Sequence, residues 1–324
     1  MTQTDPLGRA VAWRRVGVFY GIAFGGAVLV AAGIWALRQA LGPAGPVVAL
    51  AVTALLYMPL PMVAGLIVER VGQRPPLLIR EWRALRTSFW RTYGRNAVVA
   101  VVLVGIILAV SLALAWLAGT VHLPGAGHLA SQDELGQQVV ELAGGLPVSN
   151  LPPAVVLVAV IAVAGIVAGL TINGLFALGE EYGWRGVLAD ELRPLGLGRA
   201  TFLSGVMWGL WHAPIIMLGH NYGDQWRWGI LVMVTWTIPL SYLLTWSRER
   251  TGSVLAPAML HGACNGVLGV FTLIIIGGSV LVGLPVGLLM ALILTLVAVA
   301  VWRIPGHPAP RSDATAGTAL HPKS

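Results

Sequence analysis

Charged residues are scarce in this chain of 324 residues: Asp, Glu, Lys and Arg together make up 10%, while 57% of the chain is hydrophobic. A soluble domain carries roughly 25% charged residues because it must solvate its surface. The deficit excludes an ordinary water-soluble globule, and a mean hydropathy of +0.81 names lipid as the solvent. Cysteine is nearly absent as well. The single Cys264 lies inside an apolar run, so no disulfide framework can form within one chain. Neither the zinc-protease signature His-Glu-x-x-His nor a Gly-x-Ser-x-Gly nucleophile elbow occurs; the serine nearest the later motifs, Ser204, follows Thr201-Phe202-Leu203. No small-x-small cleavage site follows the first apolar run, so that run reads as a retained span and not as a signal peptide.

What the chain has in quantity is apolar sequence, with 41 Gly and 20 Pro among it. Small residues let transmembrane helices approach closely. A bilayer core needs about 20 apolar residues per helix. Runs of that kind lie at 17–37, 46–68, 97–118, 154–179, 200–218, 228–246, 254–277 and 279–302. The expected fold is therefore all-α, a polytopic transmembrane helix bundle of about eight spans. Pro59 and Pro61 should kink the second span. The domain scheme is a cytoplasmic tail at 1–16, a transmembrane domain at 17–303 and a disordered cytoplasmic tail at 304–324.

The formal charge of +7 does not imply nucleic acid, because the arginines sit in short blocks between apolar runs. Arg9, Arg14 and Arg15 precede the first span, and seven arginines from Arg70 to Arg95 separate the second from the third. Residues 119–153 hold no Lys or Arg; Arg193, Arg199, Arg248, Arg250 and Arg303 then follow, with Arg227 out of phase among them. Such alternation places both termini in the cytoplasm of a multi-pass cell-membrane protein. Leu78, Trp82, Leu85, Phe89 and Tyr93 recur at helical spacing among arginines, as in a helix lying in the cytoplasmic interface over 77–95. Ser131-Gln132-Asp133-Glu134 has the form of a capping box opening a short outer helix. No internal repeat is evident, which gives no support to a transporter built from two halves.

Ionisable groups at membrane depth are functional candidates by default. Here they are Glu180, Glu181 and Arg185, then His212, then His261 with Asn265, on three different spans. Each lies about 8–12 residues from a cytoplasmic helix end, or roughly 12–18 Å at the helical rise. Glu181 and Arg185 are four apart with the acid first, the favoured order for a pair. Glu180 points about 100° away, without an obvious cation, which suits a general base. His261 and Asn265 share a face, as do Trp208 and His212. One histidine in an apolar helix is usually a packing residue and a buried Asn is often helix-to-helix glue. Their arrival at one level is what points to chemistry. A base, two imidazoles and an amide donor are the parts for attack of water on a peptide carbonyl. The same groups would also serve a proton or ion path, and a silent scaffold or immunity protein could retain them.

At these residues the sequence resembles the CPBP family of intramembrane proteases, the CAAX prenyl endopeptidases and bacteriocin-processing relatives. The family pattern is Glu-Glu-x-x-x-Arg, Phe-x-x-x-His and His-x-x-x-Asn on successive core helices. Here it reads Glu180-Glu181-Tyr182-Gly183-Trp184-Arg185, Trp208-Gly209-Leu210-Trp211-His212 and His261-Gly262-Ala263-Cys264-Asn265, with Trp in place of Phe. The resemblance covers residues 150–270 or so. It implies an endopeptidase acting on peptide or protein substrates near the cytoplasmic side of the bilayer. By that analogy Glu180 and His212 activate water, His261 and Asn265 hold the oxyanion, and Glu181 with Arg185 orients Glu180, Trp208 serving as structural support. A zinc ion on Glu180, His212 and His261 is the alternative to an all-protein glutamate mechanism.

Overall fold

A computed structural model of the chain describes residues 10–41, 45–142, 144 and 152–305. Most of the tails expected at 1–16 and 304–324 lie outside the described residues. The architecture is the expected bundle of helices, with one two-residue antiparallel strand pair as the only sheet among the described residues. Helix α1 is Trp13–Leu41 and α2 is Gly45–Val52. Near Pro59 and Pro61, where a kink is expected, regular α geometry is interrupted: a π-helical turn at Thr53–Tyr57 ends α2, and α3 begins at Leu60 and runs to Val71, the whole remaining one helical passage. Five described helices are long and apolar enough to cross a membrane, and one bent pair makes a sixth. Two helices of 15 residues each, at 197–211 and 288–302, occupy the other expected places, consistent with about eight passes.

The interfacial stretch divides in two. Helix α4, Leu77–Thr87, stops at Ser88, whose backbone is extended, and α5, Phe89–Thr120, starts afresh as a crossing helix. The outward side of α4 exposes Trp82 at 61% together with Arg83 and Arg86, while Glu81 is buried. Its first turn is fastened inward, since the Leu77 N–H donates to Glu69 Oε1 at 2.9 Å and Tyr182 donates its hydroxyl to Glu69 Oε2 at 2.6 Å.

Beyond α5, strand β1 (His128–Leu129) leads to α6, Gln132–Leu142. The capping box is formed: Ser131 N–H donates to Glu134 Oε2 at 2.9 Å, and the Glu134 N–H returns to Ser131 Oγ at 3.3 Å. The Ser131 N–H, His128 and the Ser131 hydroxyl, all bonded to the carboxylate, hold the Glu134 carboxyl down to about 2.

Helix α7, Ala154–Leu170, and α8, Ile172–Glu181, form the bent pair, at 52°. Thr171 leaves helical geometry between them, and Tyr93 satisfies the freed Leu170 carbonyl at 2.8 Å. A π-helical turn at Tyr182–Leu188 and a short α9, Ala189–Leu192, complete this passage. Helix α10 spans Leu197–Trp211 and α11 spans Ala213–Ile216. The fifth run was expected to continue to 218; Pro214, which has no N–H and restricts the residue before it, ends it early.

Helix α12, Trp226–Thr251, closes on Gly252 in the left-handed conformation, and α13, Leu255–Ile274, follows at once. Ser253 starts α13 by accepting the Leu255 N–H at 3.1 Å. Strand β2, Ile275–Ile276, pairs with β1, and α14 is Leu288–Trp302. The last helix is shorter than the expected 279–302 because Gly283, Pro285 and Gly287 sit in its first stretch.

Helix α13 is the centre of the bundle, against α5, α7, α8 and α12. Glycines permit that approach. A Cβ on Gly266 would lie 2.2 Å from the Gly165 oxygen, and one on Gly169 would lie 2.2 Å from the Ala263 backbone. Neither obstacle is a side chain that can turn aside. Gly266→Ala is therefore expected to cost about 1–3 kcal/mol by overpacking, and Gly266→Leu to prevent stable docking of α7. Thermal midpoints in detergent check this; an unchanged midpoint for Gly266→Leu contradicts the close approach.

The end of the bundle that holds the Arg-rich connections is tied by ion pairs. Glu191 accepts from Arg15 and forms an ion pair with Arg74, each at 2.9 Å, and Arg248 meets Asp190 at 2.8 Å. Arg193 meets Glu249 at 3.1 Å. These contacts join α1, the loop after α3, α9 and α12. Each pair sets a buried or half-buried member against a more exposed one, and solvent at that side weakens it, so they serve mainly to register helix ends.

Candidate active site

Three separate passages deliver polar groups to one buried cluster. Glu180 and Glu181 end α8, Arg185 sits in the π-helical turn that follows, His212 closes α10, and His261 projects from the second turn of α13. All five are buried. Glycines bring the first motif against the second passage: a Cβ on Gly183 would lie 2.4 Å from the Pro61 oxygen, and one on Gly179 would lie 3.0 Å from the Pro59 backbone.

The hydrogen bonds assign partners. Arg185 Nη1 donates to Glu181 Oε1 at 3.0 Å, and Nη2 donates to Ser241 Oγ on α12 at 2.7 Å. The pair read from four-residue spacing is thus formed. Glu181 Oε1 also meets His261 Nδ1 at 2.9 Å. A carboxylate only accepts, so Nδ1 carries the proton. His212 Nδ1 lies 2.9 Å from the Trp208 carbonyl, which likewise puts the proton on Nδ1 and leaves the Nε2 lone pair free. Trp208 Nε1 donates to Glu180 Oε2 at 2.8 Å. Its ring makes T-shaped contacts with those of His212 and His261, with centroids 5.6 and 5.3 Å away, and the Arg185 guanidinium lies 4.2 Å from its centroid.

This arrangement differs from the expected one in two respects. Glu181 holds His261 directly, and it is Trp208, beneath the Arg185 cation, that reaches Glu180. Asn265 stands one turn beyond His261 on α13, but it is exposed, and among the described residues no hydrogen bond joins its side chain to the cluster.

The geometry adds residues that the motifs did not single out. Tyr57 packs on Trp211 with centroids 4.4 Å apart and donates to the Trp211 carbonyl at 2.6 Å, fixing the peptide before His212. Ser241 and Tyr182 anchor Arg185 and the first motif's turn. Tyr182 was visible as a polar tip inside the motif, but Ser241 and Tyr57 carry no local signal, since hydroxyls in apolar helices commonly bond to their own backbone.

For zinc, the question is whether donors converge. Among the described residues no group of three His, Cys, Asp or Glu side chains is placed to hold a metal ion. Glu180 Oε2 is engaged by an indole, and although the Nδ1 bonds of both histidines leave their Nε2 atoms open, the three side chains do not converge on one point. As arranged, Glu180, His212 and His261 do not fit a zinc site.

Residues 152–267 match the sequence profile of the family described as type II CAAX prenyl endopeptidase, Rce1-like. The CAAX prenyl protease 2 of Methanococcus maripaludis is 34% identical over 89 residues, covering 25% of this chain and 33% of that protein. The chain thus spans about a third of the length of the curated relative it matches. No solved structure matches the chain.

Proposed function

We propose, from a chain whose residues 152–267 match the profile of the Rce1-like CAAX prenyl endopeptidases, that this multi-pass membrane protein is an intramembrane endopeptidase using a glutamate-activated water. The observation that carries the reading is the meeting of Glu180, His212 and His261 around Trp208, from passages that are separate in sequence.

In this mechanism Glu180 Oε1, which accepts no hydrogen bond from the described residues, takes a proton from water as its oxygen attacks the scissile carbonyl. His212, with Nε2 unprotonated, accepts a hydrogen bond from the same water and orients it. The carbonyl π electrons become an oxyanion. A doubly protonated His261, its charge balanced by Glu181, donates Nε2–H to that oxyanion, and Asn265 supplies an amide from the open side. The proton on Glu180 then passes to the leaving nitrogen as the C–N bond breaks, giving a carboxylic acid and an amine. No step is assigned to a metal. The substrate is a peptide presented at the membrane. The test is to express Glu180→Gln in cells and identify membrane proteins that accumulate uncleaved; if none accumulates, and the wild type cleaves none in proteoliposomes, the reading fails.

The proposed topology puts both termini, the 70–95 connection and the 186–199 turn in the cytoplasm and 119–153 outside. In a Cys264→Ala background, an impermeant outside reagent should label Ser131→Cys and spare Ser88→Cys. The opposite pattern inverts the map.

A further inference from the structure

Trp208 occupies the place where the motif pattern has phenylalanine. Both are large, apolar and aromatic, and for packing either would serve. The indole differs in one chemical respect, its N–H, and the structure shows where that N–H goes. It is aimed at Glu180 Oε2 at 2.8 Å and is the only hydrogen-bond donor to Glu180 among the described residues. Both side chains are buried, at 1% and 3% exposure, so no bulk water competes for the bond.

We infer that Trp208 is a positioning residue for catalysis in this chain: its indole N–H pins one oxygen of the Glu180 carboxylate and thereby aims the other at the reacting water. The inference rests on the peptidase reading of the site. A glutamate side chain has three torsions, and the last is broad and two-fold, so an untethered carboxylate samples many orientations. Fixing Oε2 removes most of that freedom and selects Oε1 as the proton acceptor. A hydrogen bond to a charged acceptor in a dry site is also stronger than one between neutral groups. The indole is itself clamped. Arg185 lies over its face, at 4.2 Å, with its own ends held by Glu181 and Ser241. A cation over the ring draws electron density from it, which strengthens the N–H as a donor. His212 and His261 meet the ring edge-on and block its rotation. The first motif therefore acts on its catalytic glutamate through a residue of the second.

The experiment replaces the N–H and nothing else. Benzothienylalanine installed at position 208 by codon suppression has sulfur where tryptophan has N–H and keeps the ring's shape. With a substrate trapped by Glu180→Gln, this protein should show kcat lowered about ten- to a hundredfold, the range for a hydrogen bond to a charged group. KM should change less than about twofold and the thermal midpoint in detergent should match wild type. Trp208→Phe, which restores the motif's usual residue, should show a similar loss in kcat and not a gain. Wild-type kcat in the benzothienylalanine protein overturns the inference, as does a loss of kcat that is matched by a lowered midpoint, which assigns Trp208 to packing. If Glu180→Gln itself cleaves at the wild-type rate, the peptidase reading fails instead, so the two failures are distinguishable.

Discussion

Glu180→Ala and His212→Ala are each expected to abolish cleavage while leaving the protein inserted and folded. The two side chains come from α8 and the end of α10, and Trp208 links them: its N–H holds Glu180 and its carbonyl fixes the His212 tautomer. Neither is a partner in an ion pair among the described residues, so removing either leaves no opposite charge stranded. Folding should survive for that reason. Glu180→Asp should fail as well, because the carboxylate retreats by one methylene from both the indole and the water, and catalytic groups tolerate little misplacement. Replacing His261 or Asn265 by alanine removes an oxyanion donor and should lower the rate about a hundred- to a thousandfold, or ~2.7–4 kcal/mol. Rates on a trapped substrate in proteoliposomes, with circular dichroism and thermal midpoints as controls for folding, decide these points. The same preparation should keep full activity after treatment with a chelator. Wild-type peptidase activity in Glu180→Ala would falsify the assignment, and proton flux without cleavage would redirect it to a transport path.

Arg185→Ala should lose stability and activity together. Arg185 is 1% exposed, and it satisfies Glu181, Ser241 and the face of Trp208 at once. Deleting one partner of a buried pair leaves the other charge uncompensated, which costs about 3–5 kcal/mol. The double replacement Glu181→Gln with Arg185→Met removes both charges and should recover much of the lost stability. Activity should not return with it. Glu181 is also the acceptor for His261, and a neutral amide cannot balance an imidazolium as a carboxylate does. Denaturation midpoints of the two variants in one detergent, set beside their cleavage rates, separate these effects. An Arg185→Ala protein as stable as wild type refutes the pairing argument.

Much of this was legible from residues alone. The paucity of charge fixed lipid as the solvent, and the apolar runs gave the bundle, because insertion responds to composition over about 20 residues and little else. The bond between Glu181 and Arg185 followed from four-residue spacing, and the capping box at Ser131 and Glu134 was read in the same local way. Each depends only on neighbours along the chain. Other features had no such signature. The 52° bend at Thr171, the short final helix and the open position of Asn265 come from how passages are stacked. Two π-helical turns, at Thr53–Tyr57 and Tyr182–Leu188, change which face the residues beyond them present. The contacts of Glu181 with His261 and of Glu180 with Trp208 span 80 and 28 residues. A helix's sequence states which side is polar. Which partner that side meets depends on the rotation and approach of another helix, set here by glycines such as Gly266 and Gly183 that let backbones touch.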